Sequence, residues 1–229
     1  MSAPIPLSPE VTGAIVEAAR LARGRELGEV HLVAGLLRIG AVRSALQAIR
    51  TDVERLDRLV AELLERVPLR PWYRLGIQTL DSTRRASALA AATGQRELSS
   101  TFLFATLAHS GSAEVLAALA ASDFSLLHFR FHVAHPGASL DEPLPGSGPV
   151  RIVLHDDPFT TEAFVHDVLR EELGREHETA VAITARVGRE GRVELTTLDA
   201  TDASARVERV RARARALSFP LRVSAIPAS

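Results

Sequence analysis

VRIVLHDDPFTTEAFVHDVL, residues 150–169, changes character twice. Val150–Leu154 is a short run rich in β-branched residues, which suits a buried strand. His155-Asp156-Asp157-Pro158 interrupts it with turn-forming residues. From Thr160 to Leu173 the apolar residues Phe164, Val165, Val168 and Leu169 recur at three and four, the spacing of a half-buried helix. Working outward, Glu176–Val187 reads as a second helix and Val193–Leu198 as a strand. Asp202–Leu217 is a third helix, with Val207, Val210, Ala214 and Leu217 inward and Arg206, Arg209 and Arg213 outward; Leu221–Ile226 is a closing strand. The order β-α-α-β-α-β predicts a small α+β sandwich over residues 150–229.

Upstream, HPGASLDEPLPGSGP (residues 135–149) carries Pro136, Pro143, Pro145 and Pro149 with Gly137, Gly146 and Gly148, and reads as a Pro/Gly-rich linker. Residues 1–134 are rich in Ala, Leu and Arg and show only helical spacing. In TDVERLDRLVAELLERV, Val53, Leu56, Leu59, Val60, Leu63 and Val67 form one stripe, behind Thr51 or Asp52 as the N-cap. Val11–Ala22, Val30–Leu37 and Ser82–Thr93 read the same way. Arg25-Glu26-Leu27 recurs as Arg96-Glu97-Leu98, His31-Leu32 falls opposite Phe102-Leu103, Leu36 opposite Leu107 and Asp52 opposite Asp123, all at an offset of 71. The expectation is a multi-domain chain: an all-α double four-helix repeat, joined through a turn at Pro68–Tyr73 that carries Trp72 and Tyr73, then the linker and the sandwich.

The composition excludes several mechanisms. The 229 residues include 27 basic side chains, all arginine, against 28 acidic ones, for a net charge of −1. Without lysine there is no P-loop lysine for a nucleotide's phosphates and no Schiff-base amine. Without cysteine there is no thiol nucleophile, thiolate zinc site or disulfide, and a cytoplasmic location is the default expectation. Near-neutral charge and few aromatics argue against a general nucleic-acid binder, and no segment approaches a membrane span. His128, His132 and His135 cluster near the end of the helical region, but no carboxylate or cysteine completes a metal set, so no metal or other cofactor is expected. No nucleophile and base pair stands out, so no enzyme activity is expected either.

Asp156, Asp157 and the nearby Thr160 have two physical uses. They can accept hydrogen bonds from a cationic ligand, or they can simply cap the helix that follows. With its REGRV turn at 189–193 and FPLRV at 219–223, the segment from residue 150 resembles the ClpS adaptor family. VHLVAGLL at 30–37 and its counterpart TFLFATLA at 101–108 are similar to the amino-terminal repeat domain of Clp unfoldases. The first resemblance implies a pocket for the free α-amino group and first side chain of a protein's N-terminus. Asp156, Asp157 and Thr160 then stand at the amine, while Val165, Val187 and Leu221 match as apolar positions. Glu162 and Thr184 replace methionines of the family pattern and Gly188 replaces its histidine, so the preference is expected to have moved toward small, polar or basic first residues, or N-degron recognition to have been lost. Arg206 aligns with a basic position that faces a Clp amino-terminal domain.

Together the resemblances imply an adaptor or regulator of an ATP-dependent Clp protease. Its partners would be a Clp-family AAA+ unfoldase and protein substrates or their N-termini, and the two domains could dock within one chain. The alternative is a stand-alone peptide- or client-binding scaffold with no protease partner.

Overall fold

A computed structural model describes residues 5–23, 26–67 and 77–228. Arg25, Trp72, Tyr73 and the expected turn at 68–73 lie outside the described residues. The chain divides into two compact units, Met1–Phe129 and Arg130–Ser229.

The first unit is helical: α1 Pro9–Ala22, α2 Glu29–Leu36, α3 Gly40–Ala48, α4 Val53–Arg66, α5 Ile77–Ala92, α6 Ser100–Ser110, α7 Ala113–Ala120 and the start of α8, Leu126–Ala134. Caps set several starts. Ser8 accepts from Val11 N, Asp52 from Arg55 N and Ser99 from Phe102 N. VHLVAGLL and TFLFATLA are apolar almost all round because α2 and α6 are buried on nearly every face. Phe104, Phe124 and Phe129 close this core with ring centroids 5.2–5.9 Å apart.

The offset of 71 is realised as reciprocal contacts between the two copies. Ser8 N donates to Leu98 O, and their counterparts pair as Thr79 Oγ1 donating to Leu27 O. Each copy thus lends the start of its first helix to the loop before the other copy's second helix. Glu10 accepts from Ser100 at 2.5 Å, and the buried Glu29 accepts from Ser82 Oγ and, at 2.6 Å, from Ser112 N.

Helices α1 and α2 touch through small residues. A Cβ on Gly35 would stand 2.2 Å from Ala14 O, a backbone atom that cannot swing away. Gly35→Ala is therefore expected to push α1 off α2 and destabilise the first unit by ~2–3 kcal/mol, within the range of overpacking. Thermal unfolding followed through Phe104 or Leu32 resonances checks this; an unchanged midpoint contradicts the close approach.

In the second unit β1 (Pro149–His155) is the central strand, with β2 (Arg192–Asp199) and β3 (Val223–Pro227) antiparallel on its two sides in the order β2-β1-β3. Helices α9 (Glu162–Glu171), α10 (His177–Glu190) and α11 (Ala200–Ala216) complete the β-α-α-β-α-β order read from the sequence. Val150, Ile152 and Leu154 alternate into one core with Phe164, Val168, Leu169, Val207 and Val210.

Two residues of α11 depart from the expected stripe. Leu217 follows the last helical turn and is 55% exposed, whereas Arg211 is buried. Arg211 sits one turn after Val207, and its guanidinium donates to Val223 O and, at 2.8 Å, to Glu142 O. A buried cation is tolerable when its donors are filled in this way.

Residues 130–149 hold contacts within the second unit. Arg215 donates to Leu140 O, and Arg222 grips Glu142 with Nε and Nη2 at 3.1 and 3.3 Å, the paired geometry that only a planar guanidinium offers. The sequence puts the end of the helical domain at residue 134; the division between compact units falls at Phe129 and Arg130, inside α8. Among the described residues no single helix is long and apolar enough to cross a membrane.

Candidate functional site

The turn between β1 and α9 is built from two nested caps. Asp157 Oδ1 accepts from Phe159 N at 2.8 Å and Thr160 N at 2.7 Å, and Oδ2 accepts from Thr160 Oγ1 at 2.6 Å. Thr161 then caps α9 by accepting from Phe164 N, so the helix begins at Glu162, not at Thr160, whose hydroxyl is already committed to Asp157. Pro158 supports the arrangement by restricting its own φ and lacking an N–H that would need a partner.

The adjacent aspartates have opposite fates. Asp157 is 7% exposed with both oxygens engaged. Burial pushes its carboxyl above the usual range, opposed by the bonds from Thr160 and Phe159. Asp156 is exposed, and its backbone N–H donates to Gly191 O. Partial desolvation raises its pKa, with further contributions from the like charges of Asp157 and Glu162. Asp156 and Glu162 thus form an exposed acidic edge where a cation would relieve their mutual repulsion.

Gly191, whose carbonyl holds Asp156, is the left-handed C-cap of α10 at φ 75°. Gly188 lies one helical turn earlier, exposed, and a Cβ there would meet nothing within 4 Å. Thr184, a further turn back, is half-buried and donates to Ala180 O. Val165, Val187 and Leu221 share the buried core behind this surface. Of the residues singled out from the sequence, then, Asp156, Glu162 and Thr184 retain solvent access, Asp157 and Thr160 shape the turn, and the three apolar residues belong to the core of the second unit.

Arg206 is half-buried; Nη1 donates to Glu172 O at 3.3 Å. Arg209 pairs with Glu172, and Arg213 with both Glu171 and Glu172, which holds the Glu172 carboxyl below its usual range. The arginine face of α11 is therefore engaged with the end of α9. His128 pairs with Ser125 Oγ, and His135 is buried with Nε2 3.1 Å from Pro220 O.

Two groups at this turn carry no local sequence signal. Arg130 is 8% exposed, donates to Ser218 O at 3.0 Å, and lies 5.6 Å over the ring of Phe159. His155 bonds Ser224 Oγ through Nε2, and burial together with the nearby charge of Arg222 lowers its pKa to about 4, so the ring is neutral at pH 7.

Residues 147–224 match the family model described as ATP-dependent Clp protease adaptor protein ClpS, and the second unit is ClpS-like, as the sequence resemblance implies. Among solved structures, the chain is similar to the crystal structure of the Hsp104 N-terminal domain from Candida albicans, with 13% identity and a TM-score of 0.49 over 54% of this chain and 86% of that one. A second similar structure, described as preliminary structural investigations of a malarial protein secretion system, shows 10% identity and a TM-score of 0.48 over 54% of this chain and 88% of the other. No curated protein matches the chain.

Proposed function

We propose that this chain, whose residues 147–224 form a ClpS-like domain, is a non-enzymatic adaptor that brings protein substrates to a Clp-family AAA+ unfoldase. The family match carries the reading. The exposed edge of Asp156 and Glu162 supports amino-terminus binding as its chemistry. A protonated α-amine offers three donors and one positive charge, which Asp156 can accept at the mouth of the turn. Asp157 and Thr160 hold that mouth in shape. Glu162 adds a second carboxylate where a large apolar side chain would have to sit, so the preferred first residue is basic, with Arg ahead of Leu or Phe. Arg206, whose guanidinium reaches the end of α9, marks the helix surface proposed to meet the unfoldase.

Fluorescence anisotropy with peptides beginning Arg, Leu, Phe, Trp or Tyr tests this. The Arg peptide is expected to bind at least tenfold tighter than the Leu peptide, and Asp156→Ala to abolish the binding. Micromolar affinity for Leu or Phe would sink the altered preference. A pull-down with the full chain that retrieves client proteins but no unfoldase would instead support a stand-alone scaffold.

A further inference from the structure

The family match begins at residue 147, yet the second compact unit begins at Arg130. The intervening segment is tied down along its length. Arg130 donates to Ser218 O, His135 approaches Pro220 O, Arg215 donates to Leu140 O, and Glu142 is gripped by Arg222 while its carbonyl accepts from Arg211. Leu144 packs against the sandwich core. These are sequence separations of 69 to 88 residues, so nothing local to the segment dictates them.

Its first residues reach the candidate site. The Arg130 guanidinium covers the ring of Phe159, and Phe159 N is one of the donors held by Asp157. His135 packs at a tilt against Phe131 with centroids 5.0 Å apart and lies edge-on to His155 at 6.3 Å. Arg130 acts electrostatically on the buried Asp157 carboxylate, whereas burial lowers the pKa of His135 and favours its neutral ring. A buried carboxylate serving only its own turn gains from cations that approach without displacing its bonds.

We infer that residues 130–146 are a strap belonging to the ClpS-like unit, in which Arg130 and His135 are positioning residues that hold the Asp156–Thr160 turn in its binding shape from outside the family's own boundaries. The proposal rests on the reading of that turn as the amino-terminus site. Arg130 acts through the Phe159 ring, and His135 by tying the strap to Pro220 O and packing its ring against Phe131 and His155. The consequence is that an adaptor fragment cut at residue 147 retains the family sequence but lacks the support of its site.

Hydrogen exchange measured by mass spectrometry on the full chain tests this alongside peptide anisotropy. Arg130→Met is expected to speed exchange of the Phe159 and Thr160 amides at least tenfold. Exchange in α11 should stay within twofold, and affinity for the Arg-initiated peptide should fall at least fivefold. Arg130→Lys, which keeps the charge but not the flat face, should recover part of the protection. Phe159→Leu removes the ring instead, and its effect should be less than additive with Arg130→Met. Turn exchange within twofold of wild type, an equal rise in α11, or strict additivity would each overturn the strap. If exchange behaves as expected while wild type binds none of the peptides, the strap stands and the amino-terminus reading is what has failed.

Discussion

Asp157→Ala is expected to destabilise the second unit by ~2–4 kcal/mol, while Asp156→Ala changes stability by less than ~0.5 kcal/mol. The two side chains are neighbours in sequence with the same chemistry, so the difference is purely one of placement. Alanine at 157 strands Phe159 N, Thr160 N and Thr160 Oγ1 in a buried turn, each having lost its acceptor. It also leaves the positive charge of Arg130 without the anion it faces. Asp156 gives up only an exposed carboxylate, since its structural bond to Gly191 is made by the backbone. Urea unfolding followed by amide resonances of Ile152 and Leu154 separates this unit from the helical one. If Asp157→Ala leaves the midpoint unchanged, the nested-cap account of the turn is wrong. Peptide binding reports the converse: Asp156→Ala removes it with the fold intact, and Asp157→Asn is expected to weaken it with a measurable loss of stability. Binding that survives Asp157→Ala would dissociate the turn from recognition altogether.

Restoring the family pattern is expected to give the largest gain. The triple substitution Glu162→Met, Thr184→Met and Gly188→His should raise affinity for peptides beginning with Leu or Phe at least a hundredfold and reduce affinity for the Arg peptide. Each change has physical room. Gly188 is exposed with open space at its Cβ, so an imidazole there meets no clash. Glu162 is exposed at the first turn of α9, where methionine costs no buried partner. Thr184 loses only a bond to its own helix carbonyl, which is weakly stabilising at best. The added hydrogen-bonding group contributes ~1–2 kcal/mol toward the amine, and two thioether side chains provide an apolar lining of comparable effect. Isothermal titration with Leu- and Arg-initiated peptides is the measurement. A triple variant that folds and still ignores Leu and Phe would mean that the surface beside Asp156 is not an amino-terminus pocket.

The order of elements was readable because it depends on spacing within short windows. The β-α-α-β-α-β succession, the stripe of α4 and the all-round apolar character of α2 and α6 each follow from which residues fall within a few positions of one another. The repeat was readable for the same reason, since equal local patterns at a fixed offset build equal helices, and the paired contacts of Ser8 with Leu98 and Thr79 with Leu27 are its spatial form.

The candidate site was legible only as a set of residues. Periodicity placed Val165 inward and the family resemblance made Val187 and Leu221 apolar positions; all three are buried. It could not tell which of Asp156 and Asp157 turns into the protein, because both lie in a turn with no repeating geometry. Leu217 and Arg211 show the limit from another side. Hydropathy alone assigns leucine to the core and arginine to solvent, but helix α11 ends before the leucine reaches a neighbour, and Arg211 finds the carbonyls of Glu142 and Val223.

What the sequence determined by itself is therefore the succession of elements, the duplicated helical design, and the strand-turn-helix that carries the ClpS resemblance. What only the tertiary structure decided is where charge is buried: Asp157 rather than Asp156, Arg211 within a helix stripe, and Arg130 and His135 at the start of a unit that composition places fifteen or more residues later. The physical reason is that an apolar residue gains from burial against almost any neighbour, whereas a charged one is buried only where particular donors or acceptors, here up to 88 residues away, meet it in space.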